Sequence, residues 1–378
     1  MKSVSFDVVV VGGGIRGCAI IYYLARAGAR VCLIERKGIA AGASSANTAH
    51  LAASTKQPAP YTALSMESVR LYRDLEAELD CQFDYEPNGL IGRIIFDERL
   101  RPELEWFAEQ QNKVPGMHVA VLTRHELREL EPALSEEVVA GTYCASDGAL
   151  DSLKLIQGYA RAAQRFGAKI FTGTEVIGVE MDGDRVVGVT TNAGRLATET
   201  IVNATGIDCP TIGRMVGVEI PVVSCHGQVL ATQRLPRMIH RPVGNVRQML
   251  TGEVLIGTTN DFDERSLRIT PEGMAGNARG AMRDFPFLRG ATITRAWAGL
   301  RPWTIDTFPI LGWAPDVRGF AIATGHSGII LAPITGILIA ELLTSGQTHM
   351  PLDNWNLLRF QNDRYHFPLY AYRRWIQT

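Results

Sequence analysis

Residues 6–35 decide how the N-terminal part of the chain folds, and they read FDVVVVGGGIRGCAIIYYLARAGARVCLIE. The run Val8–Val11 is apolar at every position, which is typical of a strand buried on both faces of a parallel sheet. Residues 19–27 predict a helix that stops at Gly28, and residues 31–34 predict a second buried strand. The stretch therefore predicts a β-α-β unit of a doubly wound α/β sheet.

Three glycines follow the first strand with G-x-G-x-x-G spacing, at Gly12, Gly14 and Gly17. In this pattern the first permits a tight turn, the second lets backbone approach a pyrophosphate, and the third lets the helix pack against the sheet. The positive end of the helix faces the diphosphate. Glu35, 18 positions after Gly17, is placed to accept hydrogen bonds from ribose hydroxyls. A tight turn without a ligand explains the glycines but not Glu35, so we predict a dinucleotide site.

The residues after Glu35 indicate which dinucleotide is bound. Residues 36–48 read RKGIAAGASSANT, in which small residues and paired hydroxyls directly follow the acid. This continuation is similar to that of flavoproteins, whereas a third strand usually follows at once in nicotinamide enzymes. The chain here resembles the D-amino-acid-oxidase-like FAD oxidoreductases, which include glycine oxidase, sarcosine oxidase and dye-linked proline dehydrogenase subunits. A nicotinamide dehydrogenase is disfavoured because no second G-x-G-x-x-G follows a strand.

Later motifs support this resemblance. Residues 200–206, TIVNATG, resemble the A-T-G motif of two-dinucleotide-domain flavoproteins, although a plain strand with a glycine turn is the alternative. Residues 299–312 contain G-L-R-P, then Asp306 and P-I-L-G, and residues 325–336 contain G-H-S-G, L-A-P and T-G. This order resembles the C-terminal flavin-binding signature of the amine-oxidising branch of the family, and it is more specific than the N-terminal glycines.

The resemblance implies an α/β, two-domain FAD-binding Rossmann-like fold of the glutathione-reductase type, with an antiparallel-sheet substrate domain. Residues 1–80, 149–219 and 298–378 would form a discontinuous FAD-binding domain, and residues 81–148 and 220–297 the substrate domain. Sequence patterns predict β-hairpins over 83–96 and 175–190, and helices over 58–80, 103–113 and 151–166. They also predict a strand over 291–297, a glycine turn before Arg301, and a helix that begins at Gly328.

Composition and charge exclude several classes of protein. The chain has 378 residues, of which 46% are hydrophobic and 20% charged, and this is ordinary for a globular protein of two domains. A formal net charge of -1 gives no global field that favours nucleic acid or anionic membranes. The longest apolar run, 328–343, is too broken to be a transmembrane segment. The N-terminus lacks a secretory pattern and the six cysteines form no C-x-x-C pair, so we expect a cytoplasmic protein without a metal site.

Matching the family's motifs to this sequence implies which residues hold FAD. They are Gly12, Gly14, Ile15, Gly17, Glu35, Arg36, Ala43, Ser44, Ser45, Thr48, Ala49, Val176, Ala204, Thr205, Gly206, Gly299, Arg301, Gly325, Ser327, Gly328, Ile329 and Ile330. Backbone donors of the last loop would face the flavin N1–C2=O edge, where negative charge accumulates on reduction. Sarcosine oxidase attaches its flavin to a cysteine near the G-L-R-P position. No cysteine lies beyond Cys225 here, so we expect noncovalent FAD.

Four residues are candidates for catalysis and substrate binding: Arg301, His326, Arg247 and His50. The planar guanidinium of Arg301 matches a substrate carboxylate, as the matching arginine does in glycine-oxidase-like members, and a structural salt bridge is the alternative. His326 either faces the flavin or substrate, or satisfies a loop carbonyl. Arg247 is a candidate second anion contact, because Asn245 replaces a family tyrosine that contacts the carboxylate. His50 follows the Ser44–Ser45 loop and is a candidate for the flavin edge.

The resemblance implies oxidation of an amino or imino acid by hydride transfer from Cα–H to flavin N5, followed by hydrolysis of the imine. Residues 245–259 are similar to the dehydrogenase subunits, which favours a secondary amine such as proline, hydroxyproline or an opine, with electrons passed to a partner subunit. Residues 370–375, YAYRRW, either suit an interface or form a solvated tail. Two alternatives stay open: an oxidase of glycine, sarcosine or a D-amino acid that makes hydrogen peroxide, and a non-catalytic flavin-binding subunit.

Overall fold

The computed structural model describes residues 5–360, so the predicted interface at 370–375 lies outside the described residues. The α-helices are α1 (Ile15–Arg26), α2 (Ala59–Leu79), α3 (Arg101–Asn112), α4 (Arg124–Leu130), α5 (Ser152–Arg165), α6 (Cys209–Arg214), α7 (Pro271–Asp284) and α8 (Ala332–Ser345). The strands are β1 (Val8–Val11), β2 (Val31–Glu35), β3 (His50–Leu51), β4 (Leu90–Ile95), β5 (Ala120–Thr123), β6 (Ala140–Cys144), β7 (Gly148–Ala149), β8 (Lys169–Thr172), β9 (Val176–Asp182), β10 (Arg185–Thr191), β11 (Gly194–Ala197), β12 (Ile201–Asn203), β13 (Val222–Arg234), β14 (Val246–Gln248), β15 (Glu253–Ile256), β16 (Ile293–Thr304), β17 (Ile310–Trp313) and β18 (Phe320–Thr324).

A mainly parallel sheet with the strand order β17-β18-β12-β1-β2-β8 forms the centre of the nucleotide-binding half. Alternate valines of β1 point to opposite faces of this sheet, because successive side chains of a strand point in opposite directions. Val8 and Val10 belong to a core shared with α1, α2, α5 and α8. Val9 and Val11 belong to a second core shared with β9, β10 and α6. The β-α-β unit predicted from residues 6–35 is confirmed by parallel pairing of β1 with β2.

A separate antiparallel sheet has the order β14-β15-β13-β16. Its longest pair runs from Val222 opposite Thr304 to Thr232 opposite Ile293. The smaller sheet β4-β6-β5 joins it at Ile91, whose N–H donates to the Pro242 carbonyl at 3.0 Å. The two distant stretches that carry these strands therefore share one surface. Our domain limits stay a prediction, and β16 continues through the limit drawn at residue 298.

Three local predictions are wrong. The hairpin over 83–96 does not form, since β4 pairs with β6 and Glu86 bridges to Ala149. The strand over 291–297 does not end at a glycine turn before Arg301, because β16 continues to Thr304 along β13. The helix expected from Gly328 begins at Ala332, after a turn. The other hairpin, β9 with β10, and the helices α2, α3 and α5 are confirmed.

Within residues 5–360 no helix combines the length and the apolar character that crossing a membrane requires. The longest helix there, α2, carries charged residues along its length. All six cysteines lie in the described range as free thiols, and all but Cys81 are buried. They therefore contribute to packing, as small apolar side chains do.

Candidate active site

A cavity of about 2170 Å³ is lined by residues of both sheets. Its volume exceeds the ~300–1,000 Å³ of an ordinary small-molecule site, so it has room for a dinucleotide together with a substrate. Every residue that we predicted to hold FAD or substrate lines this cavity, with the exception of Gly17. The structure thus brings together groups that lie as far apart in sequence as Gly12 and Ile330.

The glycine turn after β1 leaves its backbone open to a ligand. Gly12 has a φ of +109°, and a Cβ there would lie 2.6 Å from the Ala204 carbonyl oxygen. A Cβ at Gly17 would lie 1.9 Å from the Gly12 carbonyl oxygen, so Gly17 holds helix and strand together instead of lining the cavity. Helix α1 then begins at Ile15 with its N-terminus at the cavity. The Gly12 turn and the N-terminus of α1 form a backbone cradle, which side chains at the glycine positions would fill. This cradle fits the pyrophosphate of FAD.

Glu35 stands at the end of β2, where its two carboxylate oxygens are fixed by backbone. Oε2 accepts from the Gly13 N–H and Oε1 from the Lys37 N–H, both at 2.8 Å. In this orientation the Glu35 carboxylate can present its remaining lone pairs to the ribose hydroxyls. Arg36 lines the cavity as well, but its guanidinium pairs with Asp208 at 2.6 Å on the surface.

The loop of residues 325–330 forms the opposite wall, and Arg16 fixes it. Arg16 is only 6% exposed; it donates to the Gly325 carbonyl and, at 2.8 Å, to the His326 carbonyl. Burial lowers the pKa of Arg16 to about 10, so its charge is retained at neutral pH. Sequence reasoning missed this residue, although its place between Gly14 and Gly17 is a signal that it lies at the dinucleotide turn. Arg16 therefore ties the two ends of the FAD cradle together.

His326 packs against Trp303 and does not bond a loop carbonyl through its ring nitrogen Nδ1. The two ring centroids are 4.4 Å apart at 35°, and Nδ1 lies 3.0 Å from the Ser327 hydroxyl. Burial, reinforced by the fields of Lys56, Arg301 and Arg16, holds the pKa of His326 well below its usual value. The imidazole is therefore neutral and offers a flat, apolar face to the cavity.

Arg301 projects from β16 over Gly227 of β13, where a Cβ would lie 2.1 Å from its Nη2. Its Nη1 donates to the Thr259 carbonyl at 3.1 Å and to the Asn260 side-chain oxygen at 2.8 Å. Within residues 5–360, Arg301 does not form the structural salt bridge that was its alternative, since these acceptors are neutral. Burial lowers the pKa of Arg301. A fixed guanidinium without a counter-ion on a cavity wall is suited to bind a carboxylate.

Arg247 and His50 lie on a further part of the cavity wall. Arg247 is 2% exposed; Nη1 donates to the Ala49 carbonyl at 3.3 Å, and Nη2 lies 2.6 Å from the Met249 sulfur. Among the residues that the structure describes, Nε has no hydrogen-bond partner. Burial lowers the pKa of Arg247 to about 10. For His50, burial and the fields of Arg247 and Lys56 lower the pKa to about 3, and its Nε2 is buried without a partner. His50 is therefore neutral beside two cations.

Lys56 is a cavity residue that sequence reasoning missed. It is half-buried, and burial lowers its pKa to about 8. The buried Asp147 stabilises the Ala53–Thr55 turn, which directly precedes Lys56. It accepts hydrogen bonds from the Ala53 N–H at 2.9 Å and from the Ser54 hydroxyl at 2.5 Å. The sequence signal of Lys56 is weak, because a lone lysine six positions after His50 looks like a surface residue.

Comparison with known proteins identifies the family. Residues 7–342 match the family described as FAD dependent oxidoreductase, which includes D-amino-acid-oxidase-like enzymes. The chain belongs to this family. The predicted α/β fold is confirmed, and FAD is the cofactor of the family. That Gly12, Glu35 and residues 325–330 hold the FAD stays a prediction, which the shape of the cavity fits. Within the family, the resemblance to the branch of glycine oxidase and sarcosine and proline dehydrogenases is confirmed.

Three relatives show what this family member is similar to. Hydrogen cyanide synthase subunit HcnC of Pseudomonas aeruginosa is 32% identical over 92% of this chain and 94% of its own. An opine oxidase subunit of Agrobacterium tumefaciens is 28% identical over 94% of this chain and 97% of its own. The crystal structure of glycine oxidase from Geobacillus kaustophilus superposes with a TM-score of 0.89 and 29% identity over 94% of this chain and 99% of that one.

Proposed function

We propose that this flavoenzyme is the catalytic subunit of a dehydrogenase complex whose substrate is a secondary-amine amino acid such as proline, hydroxyproline or an opine. The broader chemistry, FAD-dependent oxidation of an amino or imino acid at a CH–NH or CH–NH₂ group, is that of its family relatives and of this chain. One observation carries the proposal: Arg301, which pairs with no carboxylate of residues 5–360, lines the same cavity as the 325–330 loop of the FAD cradle.

Arg301 would bind the carboxylate and thereby fix the position of the substrate Cα. When bound, FAD would supply the hydride-accepting chemistry, and the chain's own residues would orient Cα–H for it. The stacked rings of His326 and Trp303 provide a neutral wall that confines the substrate and excludes water. Positive charge on Arg301 and Lys56 lowers the pKa of a substrate amine in the cavity, which favours the neutral amine needed for reaction. Positioning and electrostatics therefore supply the catalysis, and no strong general base is required.

The role within a larger complex is supported by the relatives. Both HcnC and the opine oxidase relative are named as subunits of larger enzymes, and each aligns with this chain over nearly its full length. The opine oxidase relative supports a secondary amine as the substrate, since the amine nitrogen of an opine is bonded to two carbon substituents. We therefore propose an electron-accepting partner subunit in place of oxygen.

The test is anaerobic bleaching of the flavin absorbance by a panel of amino, imino and opine acids. We expect bleaching by secondary amines, and loss of bleaching in Arg301→Met at equal FAD content. Air is then readmitted, with and without an artificial dye. Rapid dye reduction with slow peroxide formation supports the dehydrogenase, whereas peroxide at the rate of turnover identifies an oxidase. A flavin that nothing bleaches, alone or with its partner subunit, identifies the non-catalytic alternative.

A further inference from the structure

Three cationic side chains reach the cavity from separate elements. Arg301 comes from β16, Arg247 from β14, and Lys56 follows the Ala53–Thr55 turn. Within residues 5–360 none of the three forms a salt bridge. Three further cations on the wall are engaged by a carboxylate or by an aromatic ring: Arg36 with Asp208, Arg359 with Asp306, and Arg93 over Phe107.

The carboxylates near Arg247 are committed elsewhere. Glu86 pairs with Arg237 at 2.5 Å, and Asp84 pairs with Lys154 at 2.7 Å. Asp151 accepts from the first backbone N–H groups of α5. Arg247 is therefore a buried cation whose partners are a carbonyl and a sulfur atom, and no group in the described part of the chain pairs with its Nε.

A buried charge without a counter-ion is unfavourable in the free protein, and an anionic ligand that pairs with it recovers that free energy. Arg301 alone is sufficient for the carboxylate of an amino acid, because one guanidinium pairs with one carboxylate through two parallel hydrogen bonds. Arg247 and Lys56 exceed that requirement. A substrate with one carboxylate would leave both without a carboxylate to bind.

Arg247 and Lys56 reach the wall beside the same stretch of chain, since Arg247 donates to the Ala49 carbonyl and Lys56 follows the Ala53–Thr55 turn. His50 feels the fields of Arg247 and Lys56, and His326 feels those of Lys56 and Arg301. Lys56 is thus the neighbour that the two histidines share. Arg301 lies elsewhere, on β16 two positions before Trp303, which packs on His326 of the 325–330 loop.

We infer that the substrate carries two carboxylates, one on each side of a secondary amine nitrogen. Arg301 binds the carboxylate on the carbon that is oxidised, and Arg247 together with Lys56 binds the second. This inference rests on the proposed function and narrows it: the substrate class is the N-(carboxyalkyl) amino acids, of which iminodiacetate is the smallest member. Proline and hydroxyproline, with a single carboxylate, lie outside this class.

Thiodiacetate and (methylthio)acetate provide the test, because sulfur replaces the amine and neither compound is oxidised there. Binding to the FAD-loaded enzyme is measured by titration calorimetry and by perturbation of the flavin spectrum. We expect thiodiacetate to bind on the order of 10- to 100-fold more tightly, the effect of added charge-assisted hydrogen bonds. Arg247→Met and Lys56→Met should each reduce this ratio toward one. The control Arg234→Met, on an exposed side chain of β13 outside the cavity, should leave the ratio unchanged.

The outcomes separate this inference from the proposed function. A wild-type ratio near one, or a ratio that neither variant alters, overturns the inference. Bleaching by proline but not by iminodiacetate or an opine also overturns it and leaves the proposed function standing. Bleaching by no amino or imino acid overturns the proposed function itself. If Arg247→Met does not fold, as judged by FAD content and thermal unfolding, Lys56→Met decides, since the half-buried Lys56 tolerates replacement by an apolar chain of similar length.

Discussion

The substitution Gly227→Ala should displace Arg301 without disturbing the sheet. A Cβ at position 227 would lie 2.1 Å from Nη2, 2.5 Å from Cζ and 2.6 Å from Nη1 of Arg301. Since ordinary contact begins at 3.4 Å, the guanidinium must move by about 1.3 Å. That movement breaks its hydrogen bonds to Thr259 and Asn260. A misplacement of about 1 Å reduces catalysis roughly 100-fold, which is about 2.7 kcal/mol of transition-state stabilisation.

The assay is kcat/KM with an artificial dye as electron acceptor, accompanied by FAD content and Tm. Alanine is favourable in a strand interior relative to glycine, by about 0.5–1 kcal/mol, so Tm should not fall. The matched control is Gly178→Ala in β9, where the nearest atom to a new Cβ is 3.8 Å away. A Gly227→Ala enzyme with normal FAD content and a kcat/KM within about twofold of wild type would refute the assigned role of Arg301.

Three further predictions concern charged and titratable groups of the cavity. Arg16→Met should weaken FAD binding about tenfold or more, because a buried cation then no longer fixes two loop carbonyls. FAD affinity is measured by the fluorescence of released flavin. The control is Arg30→Met on an exposed side chain, and an equal loss of FAD affinity in both variants would contradict the role of Arg16. Thiodiacetate affinity should fall as pH rises above about 8, because Lys56 loses its proton, and Lys56→Arg should abolish the fall. Plots of kcat/KM against pH should show no inflection near pH 6.5 from His50 or His326, since both histidines are neutral at that pH. If an inflection is seen and disappears when one of these histidines is replaced, that histidine titrates and the prediction is wrong.

Sequence-based prediction succeeded where the pattern is local. The strand, glycine turn and helix of residues 6–35 depend on apolar periodicity and turn chemistry within 30 residues, and the structure confirms each element. The predicted FAD-cradle residues other than Gly17 also line one cavity, and they were inferred from the resemblance to a family instead of from local periodicity. Their individual roles stay predictions.

Prediction failed where the partner of a segment is far away in sequence. The apolar run that forms β4 pairs with β6, about 50 positions later, so the Pro-Asn-Gly sequence before it did not indicate a hairpin. The sequence predicts a turn at Gly299, but Gly299 lies opposite Gly227 within a long strand pair. The two glycines leave space for the Ala46 and Arg301 side chains. Lys56 and Arg16 were missed because the burial of a lone cation depends on tertiary packing, and no periodicity reports it.

The bond from Arg16 to Gly325 also has a consequence for how the enzyme is made. The two residues are 309 positions apart, and β1 can complete its sheet only when β12 and β18 have been synthesised. At ribosomal rates of about 5–20 residues per second, the N-terminal glycine turn waits roughly 15–60 s for the loop that closes the cradle. Flavin loading should therefore follow synthesis of the 325–330 loop, and a nascent chain arrested before residue 325 should emerge colourless however much FAD the translation mixture contains.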